Sequence, residues 1–245
     1  MAFTYFFRDG QALELLAQHV IPDLKTRQYI HVWDAGCAMG PEPYSVAITL
    51  REHMGHFLFR NVRIFATDID ETNTFGAIIN RGVYSREETK RIPPKILRRY
   101  FSPYGSDGHL QISEEIKNAV QFQQHDLLSL SPARDGFGLI VCKNVLLHFS
   151  PQQRIEVIKM FHRALGTDGY FVSERTQEMP RETAHLFRSV TTTAQLFQKV
   201  STASTREENG RMTNRKSVKA GADENYQSGR PRGRHVLLER SSCPG

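Results

Sequence analysis

Short apolar runs and longer amphipathic stretches take turns along this chain. The runs Tyr29 to Trp33, Val62 to Thr67, Val120 to Gln124, Leu139 to Cys142 and Gly169 to Ser173 read as strands. The unbroken Leu139 to Cys142 run suits the centre of a sheet covered on both faces. Helices are predicted between them. The first spans about Gln11 to Val20 and ends before Pro22. The second starts near Pro43, where a missing N–H costs nothing, and runs to about Met54. Others lie near 71–80, 93–100 and 151–165, the last opened by Ser150-Pro151 and closed by Gly166. Leu110 to Ile112 follows the turn Gly105-Ser106-Asp107-Gly108 and predicts a small β-hairpin insertion over about 100–118. Two more strands are expected at 186–192 and 195–200. Strands alternating with helices define the α/β class, with a mostly parallel sheet and helices on both faces.

The first strand runs into Ala35-Gly36-Cys37-Ala38-Met39-Gly40-Pro41-Glu42-Pro43-Tyr44-Ser45. Its glycines let backbone approach a ligand closely, and a helix start there is expected to offer free N–H groups and a positive dipole end. Doubly wound folds hold nucleotide-like cofactors in this way at the carboxyl end of a strand. The second strand ends in Asp68, which suits a bond to ribose hydroxyls. The competing reading makes Asp68 a helix cap. Asp70, Glu71 and Thr72 can fill that role, which leaves Asp68 without a local one. A dinucleotide site fits poorly, because Ala38 stands where its fingerprint wants glycine and Glu42 would face a diphosphate. S-adenosylmethionine (SAM), with a sulfonium, an ammonium and a ribose, fits an acidic loop better.

Four motifs in order make the resemblance specific: Thr4-Tyr5-Phe6-Phe7-Arg8-Asp9, the loop from Ala35 to Ser45, Ala66-Thr67-Asp68-Ile69-Asp70, and Cys142-Lys143-Asn144-Val145-Leu146-Leu147-His148-Phe149. With Gly82 to Ser85 and Arg99 to Phe101, the chain resembles the chemotaxis receptor glutamate methyltransferases, the CheR family, over residues 3 to 200. The resemblance implies a Rossmann-like SAM-dependent methyltransferase fold. It implies methyl transfer from SAM to glutamate side chains of a chemoreceptor or related signalling protein, with S-adenosylhomocysteine as product, in the cytoplasm. Arg8 and His148 are then the catalytic candidates. Thr4, Arg8, Gly36, Glu42, Asp68, Asp126, Leu127, Asn144 and Val145 are the cofactor-binding candidates; Phe6 and Phe7 read as core. Asp126 stands where the family has asparagine, Pro41 where it has glutamate, and His148 where it has tyrosine. Only Met1-Ala2-Phe3 precede Thr4, where the family carries a helical domain. These departures keep two alternatives open: a SAM-binding scaffold with little activity, and a methyltransferase with another acceptor.

At 245 residues and 39% hydrophobic, the chain is long enough for one such domain over 1–200. Three cysteines without ligand-like spacing fit a reducing compartment and call for no metal. Arg8 and Asp9 interrupt the one apolar stretch near the start, so no signal peptide is expected. No apolar run approaches the ~18 residues of a membrane span. Residues 201–245 hold nine Lys/Arg against five Asp/Glu and few large apolar residues, which predicts a disordered basic tail. The body carries little of the +6 net charge, a weak case for nucleic acid.

Overall fold

The computed structural model describes residues 4–201. These hold strands β1 (Ile30–Ala35), β2 (Val62–Asp68), β3 (Val83–Tyr84), β4 (Phe101–Tyr104), β5 (His109–Ile112), β6 (Val120–Gln124), β7 (Phe137–Cys142), β8 (Leu165–Ser173), β9 (Phe187–Ser189) and β10 (Leu196–Lys199). The helices are α1 (Gly10–Leu15), α2 (Ile21–Leu24), α3 (Pro41–Phe59), α4 (Phe75–Arg81), α5 (Arg86–Thr89), α6 (Pro94–Tyr100), α7 (Glu114–Lys117), α8 (Pro151–Ala164) and α9 (Arg181–Ala184). Seven strands form one sheet in the order β6-β2-β1-β7-β8-β10-β9. The first five are parallel, and β10 pairs antiparallel with both β8 and β9. The order differs from a dinucleotide-binding sheet by this antiparallel strand slotted beside β8.

Strand alternation feeds two cores, as the α/β reading requires. Ile30 and Val32 pack with Val46, Ile48 and Leu50 of α3, whereas Trp33 and Ala35 pack with Val157, Met160 and Phe161 of α8. Trp33 is fully buried, stacks on Phe137 at 5.3 Å and donates through its indole N–H to Thr67 Oγ1 at 2.9 Å. A buried indole needs such a partner. The expected hairpin, β4 and β5, recruits β3 into a three-stranded antiparallel sheet in the order β3-β5-β4.

Several expected boundaries move. The first helix does not stop before Pro22: α1 passes through a π-helical segment, Leu16–Val20, into α2. Pro22 occupies the first turn of α2, where no N–H is needed. Helix α3 starts at Pro41 and continues past Met54 to Phe59, broken at Gly55, whose φ of 79° and ψ of 170° are not helical. The helix expected near 71 begins at Phe75, because Asp70 draws residues 70–74 into a turn and accepts from the N–H groups of Thr74 and Phe75. Gly166 is not a helix stop. Helix α8 ends at Ala164 and the chain is already extended at Leu165, so β8 starts four residues before Gly169.

The expectation for the tail lies outside the described residues. β10 closes the sheet at Lys199. A chain cut after Ser201 is therefore expected to melt and to bind SAM as the full chain does, checked by thermal denaturation and calorimetry.

Candidate functional site

The strand order reverses between β1 and β7, and ligand crevices in open α/β sheets lie outside the carboxyl ends of strands at that switch. A cavity of about 650 Å³ opens there. All ten candidates line it: Thr4, Arg8, Gly36, Glu42, Asp68, Asp126, Leu127, Asn144, Val145 and His148. Five separate stretches of chain meet at one crevice, each carried by a different strand end or by the segment before α1.

The loop after β1 is shaped by close contact. Gly36 has a φ of +100°, and a Cβ there would sit 2.1 Å from Val145 Cγ2. No other residue fits that approach between the β1 and β7 loops. Four of the N–H groups expected to be free in the loop are turned inward. Gly36 and Cys37 donate to the Thr67 carbonyl at 2.7 and 3.0 Å, Ala38 donates to Asp68 Oδ2 at 2.9 Å, and Gly40 donates to the Cys37 carbonyl. Pro41 and Pro43 have no N–H to offer. With these four turned inward, the loop offers a diphosphate few donors, which adds to the Glu42 charge against one.

The cavity floor is an ion network. Lys143, only 8% exposed, places its ammonium 2.9 Å from Asp9 Oδ2 and 3.6 Å from Glu42 Oε1. Burial pushes the Asp9 carboxyl up, but the Lys143 ammonium and the Ala12 N–H outweigh it and hold it below its ordinary range. Glu42 titrates above the usual range, because burial exceeds the pull of Lys143 and Arg8. Its side chain keeps 23% of its surface, an acceptor open to the cavity. Ser45, on the first turns of α3, accepts from the Phe7 N–H at 2.9 Å and so pins the Thr4–Arg8 segment over the crevice. Phe6 is fully buried and Phe7 packs against the same core, as expected. The Arg8 guanidinium lies 5.8 Å from the Tyr5 ring centroid, and Arg91 lies over the same ring at 4.1 Å.

Three expectations change at the other strand ends. Asp68 does have a local role, because its Oδ2 holds the Ala38 N–H and locks the β1 loop to the end of β2, while Oδ1 has a long 3.4 Å contact with Asp70 N. Asp126 spends Oδ1 on the Leu128 N–H, capping the 3₁₀ turn Leu127–Ser129. Asn144 has a structural reason beyond the cavity, since its φ is +60°, a region asparagine tolerates. Its N–H donates to Glu174 Oε2 at 3.0 Å. Replacing Asp68 with alanine should weaken SAM binding by about 1.5–3 kcal/mol through the lost charged acceptor. Asp68→Asn should lose less, because it still accepts from Ala38. Isothermal titration checks both.

Asp9, Ser45, Lys143 and Glu174 complete the site, and the sequence reading passed over them as site residues. Lys143 carried a signal, a cation directly after the fully apolar β7. Asp34 is a fifth omission. It is 1% exposed on β1, and neither carboxyl oxygen has a hydrogen-bond partner. Burial first, then the charges of Glu42 and Asp68, drive its carboxyl well above the usual range against Lys143. A raised folded-state value gives stability that is complete below the unfolded value and lost as pH rises. Wild type should lose at most about 1.4 kcal/mol per pH unit from this group above pH ~4. Asp34→Asn should remove that slope in urea melts taken across pH.

A crevice at the switch point, an acidic floor and a loop with inward-turned N–H groups fit a cationic nucleoside cofactor. With the antiparallel β10, they match the SAM-binding domain of Rossmann-like methyltransferases. The family described as "CheR methyltransferase, SAM binding domain" matches residues 2–196. The chain is 32% identical over 193 residues to a chemotaxis protein methyltransferase of Escherichia coli, covering 77% of this chain and 63% of that one. It is 30% identical to chemotaxis protein methyltransferase 2 of Vibrio cholerae, over 73% of this chain and 62% of that one. A probable chemotaxis protein methyltransferase of Rhizobium etli is 27% identical, over 77% and 72%. The chain belongs to the CheR methyltransferase family, and it spans roughly two thirds of the length of these relatives. Among the described residues no helix is long and apolar enough to cross a membrane.

Proposed function

We propose that the protein methylates glutamate side-chain carboxylates of a chemoreceptor or related signalling protein, giving glutamyl methyl esters. The observation that carries this reading is the contrast between floor and mouth. The floor holds Glu42 and Lys143. Arg8 and His148 line the same cavity but are exposed, within reach of a macromolecular acceptor. The names of the relatives support a chemotaxis acceptor.

SAM supplies an electrophilic methyl group on a sulfonium. Glu42 would face its ammonium, Asp68 its ribose, and Asp126 and Leu127 its adenine. Gly36 would bring backbone close, while Thr4, Arg8, Asn144 and Val145 would surround the methionyl end. An acceptor carboxylate is ionised near neutral pH, so no general base is required. Its oxygen bonds to the methyl carbon as the carbon–sulfur bond breaks. Arg8 would hold the carboxylate in a fixed fork, and His148 would donate a hydrogen bond that orients it. Catalysis then rests on alignment and on exclusion of water. Two free, buried cysteines, Cys37 and Cys142, agree with a reducing, cytoplasmic setting.

The test is incubation with methyl-labelled SAM and a purified chemoreceptor, scored as base-labile label. Methyl esters release methanol in mild base, whereas N-methyl groups do not. Base-stable label would overturn the carboxylate acceptor. No label on any receptor would overturn the chemotaxis acceptor.

A further inference from the structure

Asp34 has none of the interactions that keep a carboxyl buried. It caps no helix, makes no ion pair and receives no hydrogen bond among the described residues. Its neighbours in β1, Trp33 and Ala35, are apolar. Its main chain is in register with Ala66 of β2 and Val141 of β7, so it sits between the strands that lead to Asp68 and Lys143 and two residues before Gly36 of the cavity wall; the charges of Glu42, Asp68 and Lys143 act on it. The thiols of Cys37 and Cys142 lie in the same field and are kept neutral, chiefly by burial. The one facing cation, Lys143, is held by Asp9 and Glu42. Asp34 is thus a buried carboxyl without a hydrogen-bond partner, on the strand that ends at the cavity, with more negative than positive charges acting on it.

We propose that Asp34 reads the charge in the cofactor cavity: it holds a proton when no cation is bound, and gives that proton to solvent when SAM enters. The inference rests on the SAM site described above. SAM carries a sulfonium and an ammonium against one carboxylate, a net +1. S-adenosylhomocysteine, without the sulfonium, is neutral overall. A cation in the cavity favours the charged form of Asp34, because an opposite charge close to a carboxyl stabilises its anion. A neutral product does so less. Loss of the sulfonium on methyl transfer would return the proton to Asp34 and remove an attraction that holds the bound molecule. Asp34 is a positioning residue in this scheme, acting on occupancy through charge rather than touching the reacting atoms.

The experiment is calorimetric titration of the whole protein with SAM and with S-adenosylhomocysteine near neutral pH. Each is run in two buffers of different ionisation enthalpy, which counts protons. Wild type is expected to release up to one proton with SAM and clearly less with the product. Asp34→Asn, a neutral isostere, should bind both and release none. Its preference for SAM over product should fall by about tenfold for each unit by which the two ligands separate the Asp34 titration. Asp34→Ser serves as the second neutral variant if Asp34→Asn does not fold. Unchanged release in either variant would assign the proton to another group, Glu42 first, and overturn the proposal. SAM binding by wild type without proton release would overturn it as well, with the cofactor site intact. Absence of SAM binding would sink the site and the inference together.

Discussion

Gly36→Ala should abolish SAM binding and lower the stability of the fold. Two independent costs meet at this position. The backbone φ of +100° lies where a Cβ crowds its own chain, a penalty of about 1–2 kcal/mol. The new methyl would also sit 2.1 Å from Val145 Cγ2. Atoms cannot share that space, so the β1 and β7 loops must part, at about 1–3 kcal/mol for overpacking. Those two loops form the switch-point crevice, and their separation removes the cavity's shape. Calorimetry with SAM and a urea melt would report both effects. The double variant Gly36→Ala, Val145→Ala removes the nearest atom and should regain part of the stability. Wild-type affinity in Gly36→Ala alone would show that the cofactor is not held between these loops.

The parallel strands were legible because each is a short apolar run bounded by a turn, and β7 shows this most plainly. The site was legible because this fold gathers strand ends, so Gly36, Asp68, Asp126 and Asn144 could be placed together from their positions after strands alone. What stayed hidden is pairing across the fold. Nothing local says that the Ala38 N–H finds Asp68, or that Lys143 meets Asp9 across 134 positions. The inward turn of the Gly36 and Cys37 N–H groups was missed for the same reason, since their acceptor is the Thr67 carbonyl of another strand. Asp34 was overlooked because one polar residue in an apolar strand reads as noise until its oxygens are seen to lack partners. Local competition explains the displaced boundaries: Asp70 captures the N–H groups that would otherwise begin α4 four residues earlier.

Arg8→Ala should lower methyl transfer by about 100-fold, the size of effect expected when a reacting group is misplaced by about an ångström. SAM affinity should change far less, because the network of Lys143, Asp9 and Glu42 stays in place. Arg8 is exposed at the cavity mouth, so the fold should be little affected, and Glu42 loses one cationic neighbour while Lys143 stays beside it. His148 sits in the turn Leu146–His148, its N–H on the Val145 carbonyl at 2.9 Å, so the ring is carried by the same loop that packs on Gly36. His148→Tyr restores the residue type of the family pattern and should preserve or raise turnover. His148→Ala should lower it with little change in affinity. Single-turnover rates at saturating SAM, set beside calorimetric dissociation constants, separate these effects. Full turnover in Arg8→Ala would move the acceptor site elsewhere on the cavity rim. A wild type inactive on carboxylates, with activity appearing only in His148→Tyr, would make this chain a SAM-binding scaffold whose transfer step was lost at one side chain.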